Sequence, residues 1–98
     1  MTHAAAYAAD PHLTAVIHVH DRTLFLWGLN RLPSTPTTTT YGTVAMARAV
    51  GGLVALGAGS GARLFALGGH ADGLLACGPS LDDTGALLLH HLEVARHT

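Results

Sequence analysis

Alternation of apolar and polar residues predicts two strands near the start of the chain. Residues 13–20 place aliphatic side chains on one side and a more polar set on the other, as a strand with one wetter face does. A tight turn at 21–22 leads into residues 23–27, which are β-branched and aromatic enough to form the returning strand of a hairpin. The Ala-rich stretch 3–9 precedes them and predicts a short helix, which ends at Asp10-Pro11.

The middle of the chain is predicted to contain a loop followed by a helix. Residues 29–40 hold two prolines and a run of four threonines, which predicts a loop until Thr39 or Thr40 can cap a helix. Residues 41–50 then have helical spacing of apolar side chains with a single charge, and Gly51-Gly52 predicts the end of that helix.

Short apolar runs separated by glycine-rich joints predict an antiparallel meander in the second half. The runs cover residues 53–56, 63–67 and 74–77. Ser80 and two following acids predict the start of a closing helix that runs to about Arg96. The predicted order is therefore αββαβββα, an α+β sandwich with one five-stranded antiparallel sheet and helices on its faces.

Composition limits the classes of partner. The 98 residues fit one domain, 1–98, and a hydrophobic fraction of 49% with 11% charged residues suggests that apolar surface is shared with a second subunit. The chain has no lysine and a formal net charge of −1, so a basic surface for nucleic acid is not expected.

The sequence predicts a cytoplasmic protein without membrane insertion. The longest uncharged stretch outside the Thr/Pro loop, residues 49–62, is shorter than the ~20 residues of a membrane span and contains five glycines. The N-terminal residues lack the charged and apolar regions of a secretory signal. The single cysteine, Cys77, cannot form an internal disulfide, which agrees with a reducing compartment.

Gly57-x-Gly59-x-x-Ala62 matches a loose dinucleotide-binding fingerprint, in which glycines let backbone amides approach a pyrophosphate at a helix start. The following residues, 63–67, are strand-like, whereas the fingerprint requires a helix there. We therefore interpret the motif as a turn between strands.

Histidine is the most unusual feature of the composition, with eight residues in the chain. His18-x-His20 places two imidazoles on one face of the predicted strand, a spacing that can share a metal ion. No third ligand is evident, because His90 and His91 are neighbours on a helix and His70 lies near a predicted element end. A histidine-based metal-binding or metal-sensing protein is the alternative hypothesis, with surface histidines as the simpler explanation.

No set of residues predicts catalysis. Cys77 lies in an apolar strand, where a thiol is usually an inert core residue, and Ser60 and Ser80 are explained as turn and cap residues. Asp82 and Asp83 diverge on the helix surface and suit its first turn. We therefore predict no catalytic residue, no cofactor and no enzyme activity.

The apolar pattern also carries a resemblance. Residues 64–67, a Gly/Asp turn, residues 74–77 and residues 81–89 are similar to the last hairpin and closing helix of the Roadblock dynein light chain family, including its bacterial MglB-like members. Residues 13–17, 21–22 and 24–26 resemble the first hairpin of that family.

This resemblance implies a Roadblock/profilin-like sandwich and a homodimer formed by the middle helix and the next strand. It also implies a non-enzymatic scaffold that regulates a Ras-like small GTPase. The predicted dimer or partner interface consists of Tyr41, Val44, Met46, Ala47, Arg48, Val50, Leu53 and Val54.

Overall fold

The computed structural model describes residues 2–40 and 42–98, which form four helices and three strands. The elements in chain order are α1 (Thr2–Ala9), β1 (Ala15–His20), α2 (Arg22–Gly28), α3 (Val44–Leu56), β2 (Arg63–Ala66), β3 (Gly73–Gly78) and α4 (Leu81–Arg96). The strands of this described part form one antiparallel sheet in the order β1-β3-β2. The chain is α+β, but the predicted five-stranded sheet and the αββαβββα order are wrong.

The predicted second strand, residues 23–27, is the helix α2. The Asp21 side chain caps this helix by accepting a hydrogen bond from the Leu24 N–H at 2.9 Å. Leu24 and Phe25 are buried against the sheet and α4. A short apolar run fits a buried helix as well as a strand, and here the cap and the packing outweigh the β-propensity of the run.

The predicted strand at 53–56 is the last turn of α3, which passes through Gly51 and Gly52 without ending. The helix packs against α1, and a Cβ at Gly51 would lie 3.8 Å from the Ala5 carbonyl oxygen. Burial of one face of α3 outweighs the helix-destabilising effect of two glycines. The predicted N-cap at Thr39 or Thr40 is also wrong, because Thr43 accepts the hydrogen bond from the Met46 N–H at 3.1 Å.

The sheet lies between two pairs of helices. Alternate residues of β3 point to opposite sides, so Leu75 and Cys77 pack with α1 and α3 while Leu74 and Ala76 pack with α2 and α4. These four β3 side chains are fully buried. The central strand therefore anchors both apolar layers, as the continuous apolar run at 74–77 requires.

Two local predictions about the loops and caps have clear outcomes. Ser80 accepts the hydrogen bond from the Asp83 N–H at 3.0 Å, which confirms the cap of α4. The Gly57–Ala62 segment joins α3 to the strand β2, so it lacks the following helix that a dinucleotide site requires, but it does not join two strands either.

None of the described helices is long and apolar enough to cross a membrane.

Asp10 connects three segments at the edge of the sheet where β2 begins. Its carboxylate accepts hydrogen bonds from the N–H groups of His12 at 2.9 Å and Gly59 at 3.1 Å, and from Arg63 Nη2 at 2.9 Å. These donors, chiefly the two backbone N–H groups, hold the pKa of Asp10 below its usual value of 3.8. The charged carboxylate is therefore favoured in the folded state.

We expect the stability of the chain to fall in acid partly through Asp10. Because its pKa is lower in the folded than in the unfolded state, its contribution is complete above the unfolded value of 3.8 and is lost as the pH falls through the folded value. Urea unfolding at a series of pH values should show a shallower acid-side decline for Asp10→Asn than for the parent. Equal declines in the two proteins would contradict this assignment.

Candidate metal centre

Two histidines project from the end of β1 toward the layer formed by α1 and α3. Ile17 and Val19 pack against the α2/α4 cluster, and the period of two along a strand therefore sends His18 and His20 to the opposite face. His18 is half-buried and His20 is exposed. The predicted shared face of these two imidazoles is confirmed.

A third histidine, His70, comes from the hairpin between β2 and β3. The turn is closed by hydrogen bonds from the His70 N–H to the Leu67 carbonyl and from the Gly73 N–H to the His70 carbonyl, both at 2.9 Å. The Asp21 N–H donates to the Asp72 carbonyl at 2.9 Å, which ties this hairpin to the residue that follows β1. Pairing of β1 with β3 therefore brings His70 to the two strand histidines.

The three imidazoles form one compact cluster. The centroid of the His20 ring lies 5.0 Å from that of His18 and 4.6 Å from that of His70, and the His18 and His70 centroids are 5.3 Å apart. Nε2 of His20 and Nε2 of His70 are 3.1 Å apart. One ring nitrogen of each histidine lies within 4.8 Å of those of the other two.

This spacing fits one metal ion. Zn–N bonds of about 2.0–2.1 Å in a tetrahedral site place two ligand nitrogens roughly 3.3 Å apart. The His20–His70 distance is already close to that value. The widest pair must close by at most about 1.5 Å, which side-chain rotation at a partly exposed site can provide.

The surroundings favour the neutral form of two of the imidazoles. Burial lowers the pKa of His18, and the positive charges that His20, His70 and His3 can carry lower it further. Burial also lowers the pKa of His70, with a smaller contribution from His20. A neutral imidazole offers the lone pair that binds a metal, so the lowered pKa values of His18 and His70 favour the form of each ring that can act as a ligand.

Gly73 lies between two of the three histidines. It is the cross-strand partner of His20, and a Cβ added to it would come within 2.5 Å of Cδ2 of the His70 ring. We expect Gly73→Ala to displace that imidazole and to weaken zinc binding by about tenfold, as other changes around metal ligands do. Calorimetric titration with Gly85→Ala as the control tests this, because an added Cβ at Gly85 meets no atom within 4 Å. Unchanged affinity in a folded Gly73→Ala protein would show that this glycine does not position the ligand.

Three further histidines lie on or just after α4 and are not part of this cluster. His90 and His91 are neighbours on α4 with ring centroids 5.5 Å apart, and the His91 ring lies 5.8 Å from that of Trp27. His97 Nε2 lies 3.0 Å from a Glu93 carboxylate oxygen on the helix surface. Among the described residues, only the cluster of His18, His20 and His70 has the spacing of a metal site.

The residues considered and rejected as catalytic groups on sequence grounds have structural positions in the fold. Cys77 is buried, and burial raises the pKa of its thiol, so the reactive thiolate is disfavoured. The Ser60 hydroxyl donates to the Gly57 carbonyl at 2.5 Å, and Ser80 caps α4. Asp82 and Asp83 occupy the first turn of α4.

The predicted interface residues are divided between the core and the surface. Met46, Val50 and Val54 pack in the α1/α3 cluster with at most 1% of each side chain exposed. The other described members are the buried Ala47, the half-buried Leu53 and the exposed Val44 and Arg48. Tyr41 lies outside the described residues. Contact of this surface with a second chain stays a prediction.

The fold and the site together define an α+β sandwich in which three clustered histidines at one end of the sheet have the spacing of a metal site. Residues 1–97 match the family model of the Class II Aldolase and Adducin N-terminal domain, and the chain belongs to that family. No curated protein and no solved structure matches the chain. Members of the family are typically metal-dependent aldolases or epimerases, although adducin is not an enzyme.

The family overturns several predictions. The Roadblock resemblance is wrong, because its motifs were apolar patterns that many small α+β domains share. The scaffold role toward a Ras-like small GTPase rested on that resemblance and is wrong with it. The prediction of a non-enzymatic protein is also overturned, since the family is largely enzymatic. The absence of a third histidine ligand was a further error, because His70 completes the cluster.

Proposed function

We propose that this chain is the metal-binding part of an aldolase-type enzyme and that His18, His20 and His70 hold one divalent transition metal ion. The observation that carries this proposal is the convergence of three ring nitrogens within 4.8 Å. Imidazole is a ligand for zinc, copper, iron and nickel, and three histidines with an open fourth position are typical of catalytic zinc. Zinc is therefore the ion we assign.

The arrangement of the ligands suits a reaction at the fourth position. A bound zinc ion supplies Lewis-acid polarisation of a carbonyl oxygen. The exposed His20 lies on the solvent side of the cluster, and His18 and His70 are half-buried. The chain thus holds its ligands on a rigid strand and a closed turn, with access from solvent for a small molecule.

The substrate class that fits is a small hydroxylated carbonyl compound undergoing aldol cleavage or addition. Family membership supports this choice, and the open position supports binding of an oxygen ligand. No carboxylate of residues 2–40 and 42–98 joins the three imidazoles as a potential ligand. We therefore assign only metal and carbonyl binding to these residues, and no proton transfer.

Titration of the chelator-treated protein with zinc tests this function. We expect one ion per chain with a dissociation constant below the micromolar range. X-ray absorption of the loaded protein should show four nitrogen or oxygen ligands at about 2.0–2.1 Å, with the outer-ring scattering of three imidazoles. Binding weaker than micromolar, or a ligand set without imidazole, would remove the basis for the proposal.

We also propose that the protein works in the cytoplasm. The buried Cys77 is a free thiol, which is the usual state in a reducing compartment. Fractionation of the source cells, followed by detection of the chain in the soluble cytoplasmic fraction, tests this placement.

Self-association through α1 and α3 remains part of the proposal. Val44, Ala47, Arg48 and Gly51 line an open, mostly apolar groove of about 620 Å³ beside the alanines of α1. Val44 is 56% exposed, so Val44→Asp can disrupt a dimer without placing a charge in the core. Sedimentation over a range of concentrations should show a dimer for the parent and a monomer for the variant. A monomeric parent would refute self-association.

A further inference from the structure

The proline- and threonine-rich loop before α3 is joined to the end of β2 by backbone hydrogen bonds. The Ala66 N–H donates to the Pro33 carbonyl at 3.1 Å, and the Thr35 N–H donates to the Ala66 carbonyl at 3.0 Å. Ser34 and Ala66 form an isolated parallel bridge between these bonds. The loop therefore extends the sheet by one short bridge beside β2, immediately before the hairpin that carries His70.

Among residues 34–40, the Thr35 side chain forms a hydrogen bond to that hairpin. Its oxygen accepts a hydrogen bond from the Gly68 N–H at 2.9 Å. Only 3% of Thr35 is exposed, whereas Thr37, Thr38 and Thr40 are exposed. Loss of such a hydroxyl would leave the shielded backbone amide without a partner, which is costly, and the bond therefore holds that amide in place.

The loop also approaches the hairpin too closely for any side chain. A Cβ at Gly68 would overlap the Thr35 carbonyl oxygen, and a Cβ at Gly69 would overlap the Thr39 carbonyl oxygen. The Thr39 N–H donates to the Pro36 carbonyl at 3.0 Å, so the loop has its own turn at this contact. The two glycines before His70 therefore allow two segments of backbone to pack directly together.

We propose that Thr35 is a positioning residue for the metal ligand His70, an inference that rests on the proposed function. The path is short: the Thr35 hydroxyl holds the Gly68 amide, and the preceding Leu67 carbonyl accepts the His70 N–H at 2.9 Å. Loss of this hydroxyl releases the turn from the loop and widens the range of positions of the imidazole. Groups that orient a ligand in this way change metal affinity by about 10–100-fold.

Two variants of Thr35 separate the hydroxyl from the shape of the side chain. We expect Thr35→Val, which keeps the shape and removes the hydrogen bond, to weaken zinc binding by about tenfold or more. Thr35→Ser, which retains the hydroxyl, should bind within about threefold of the parent. Thr37→Val is the matched control, because it makes the same chemical change at an exposed threonine of the same loop.

The visible absorption spectrum of the cobalt-loaded protein gives a second readout that reports ligand geometry. It should change in Thr35→Val and be restored in Thr35→Ser. Gly69→Ala should produce the same kind of change, because it displaces the loop with the Thr35 hydroxyl still present. Circular dichroism shows which variants fold. The test requires only that one of Thr35→Val and Gly69→Ala be folded.

The possible failures are distinguishable. If the parent protein does not bind zinc or cobalt, the proposed function fails. If the parent binds the metals and a folded Thr35→Val or Gly69→Ala protein has the parent affinity and spectrum, the positioning role alone is refuted. A loss in Thr35→Ser equal to that in Thr35→Val would also refute it, since the hydroxyl would then be irrelevant.

Discussion

Replacement of His70 by alanine is expected to lower the zinc affinity of the chain by at least about a hundredfold. Changes to groups that merely orient a ligand already cost 10–100-fold, so removal of a ligand should cost no less. His70 contributes one of the three clustered ring nitrogens and lies 3.1 Å from His20 Nε2. Calorimetric titration of the chelator-treated proteins measures the difference.

A matched control is available on the closing helix. His90 is exposed on α4 and is not part of the cluster, so His90→Ala should keep the parent affinity and one ion per chain. Urea unfolding in the presence of a chelator shows whether either variant has lost the fold rather than the ligand. Equal affinities for His70→Ala and His90→Ala would assign zinc binding to other residues.

Two of the three histidines of this cluster could be predicted from the sequence to lie on one face of a strand. The alternation of residues 13–20 indicates a strand, and the period of two then places His18 and His20 on one face. The turn between residues 67 and 74 was also predicted, with His70 inside it. The missing step was the pairing of β1 with β3, which joins residues from Ala15↔Gly78 to His20↔Gly73 that are far apart in the chain and has no local signal.

The secondary structure was predictable where the local sequence pattern and the tertiary packing favour the same element. Helices at both ends and strands near 13–20, 63–67 and 74–77 are present close to their predicted positions. The errors at 23–27 and 53–56 arose because short apolar runs suit either a buried helix or a strand. The Asp21 cap and the burial of Leu24 and Phe25 stabilise a helix at 23–27. The contact of α3 with α1 stabilises a helix at 53–56.

The failure to place His70 in the cluster and the wrong family prediction both involve the predicted strand at 23–27. A meander of five strands would have separated the histidine strand from the 67–74 turn, and so the cluster was invisible in that topology. With the 23–27 segment as a helix, β1 becomes a direct neighbour of β3 in the sheet. The correction of this one local element therefore brings the three histidines together, and the cluster supports the proposed metal site rather than a binding scaffold.

Met46→Ala is expected to lower the free energy of unfolding by about 2–5 kcal/mol, the range for truncation of a buried methionine. No part of Met46 is exposed, and it packs with Val50 and Val54 in the α1/α3 cluster. Leu56 lies at the end of the same helix, is 88% exposed and is not a predicted interface residue, so Leu56→Ala should change the same quantity by less than about 0.5 kcal/mol. Urea unfolding of the two variants and the parent provides the comparison.

The protein concentration distinguishes a core role of Met46 from the interface role that the sequence predicted. A core residue destabilises each chain by itself, so the loss of unfolding free energy in Met46→Ala should be the same at low and high protein concentration. If the side chain instead contacted a second copy, the loss would disappear at concentrations where the parent is monomeric, because dissociated chains no longer share that contact. Since α3 buries Met46 against its own sheet, we expect the concentration-independent result, and a dimer formed through α3 must then use the exposed residues of this helix.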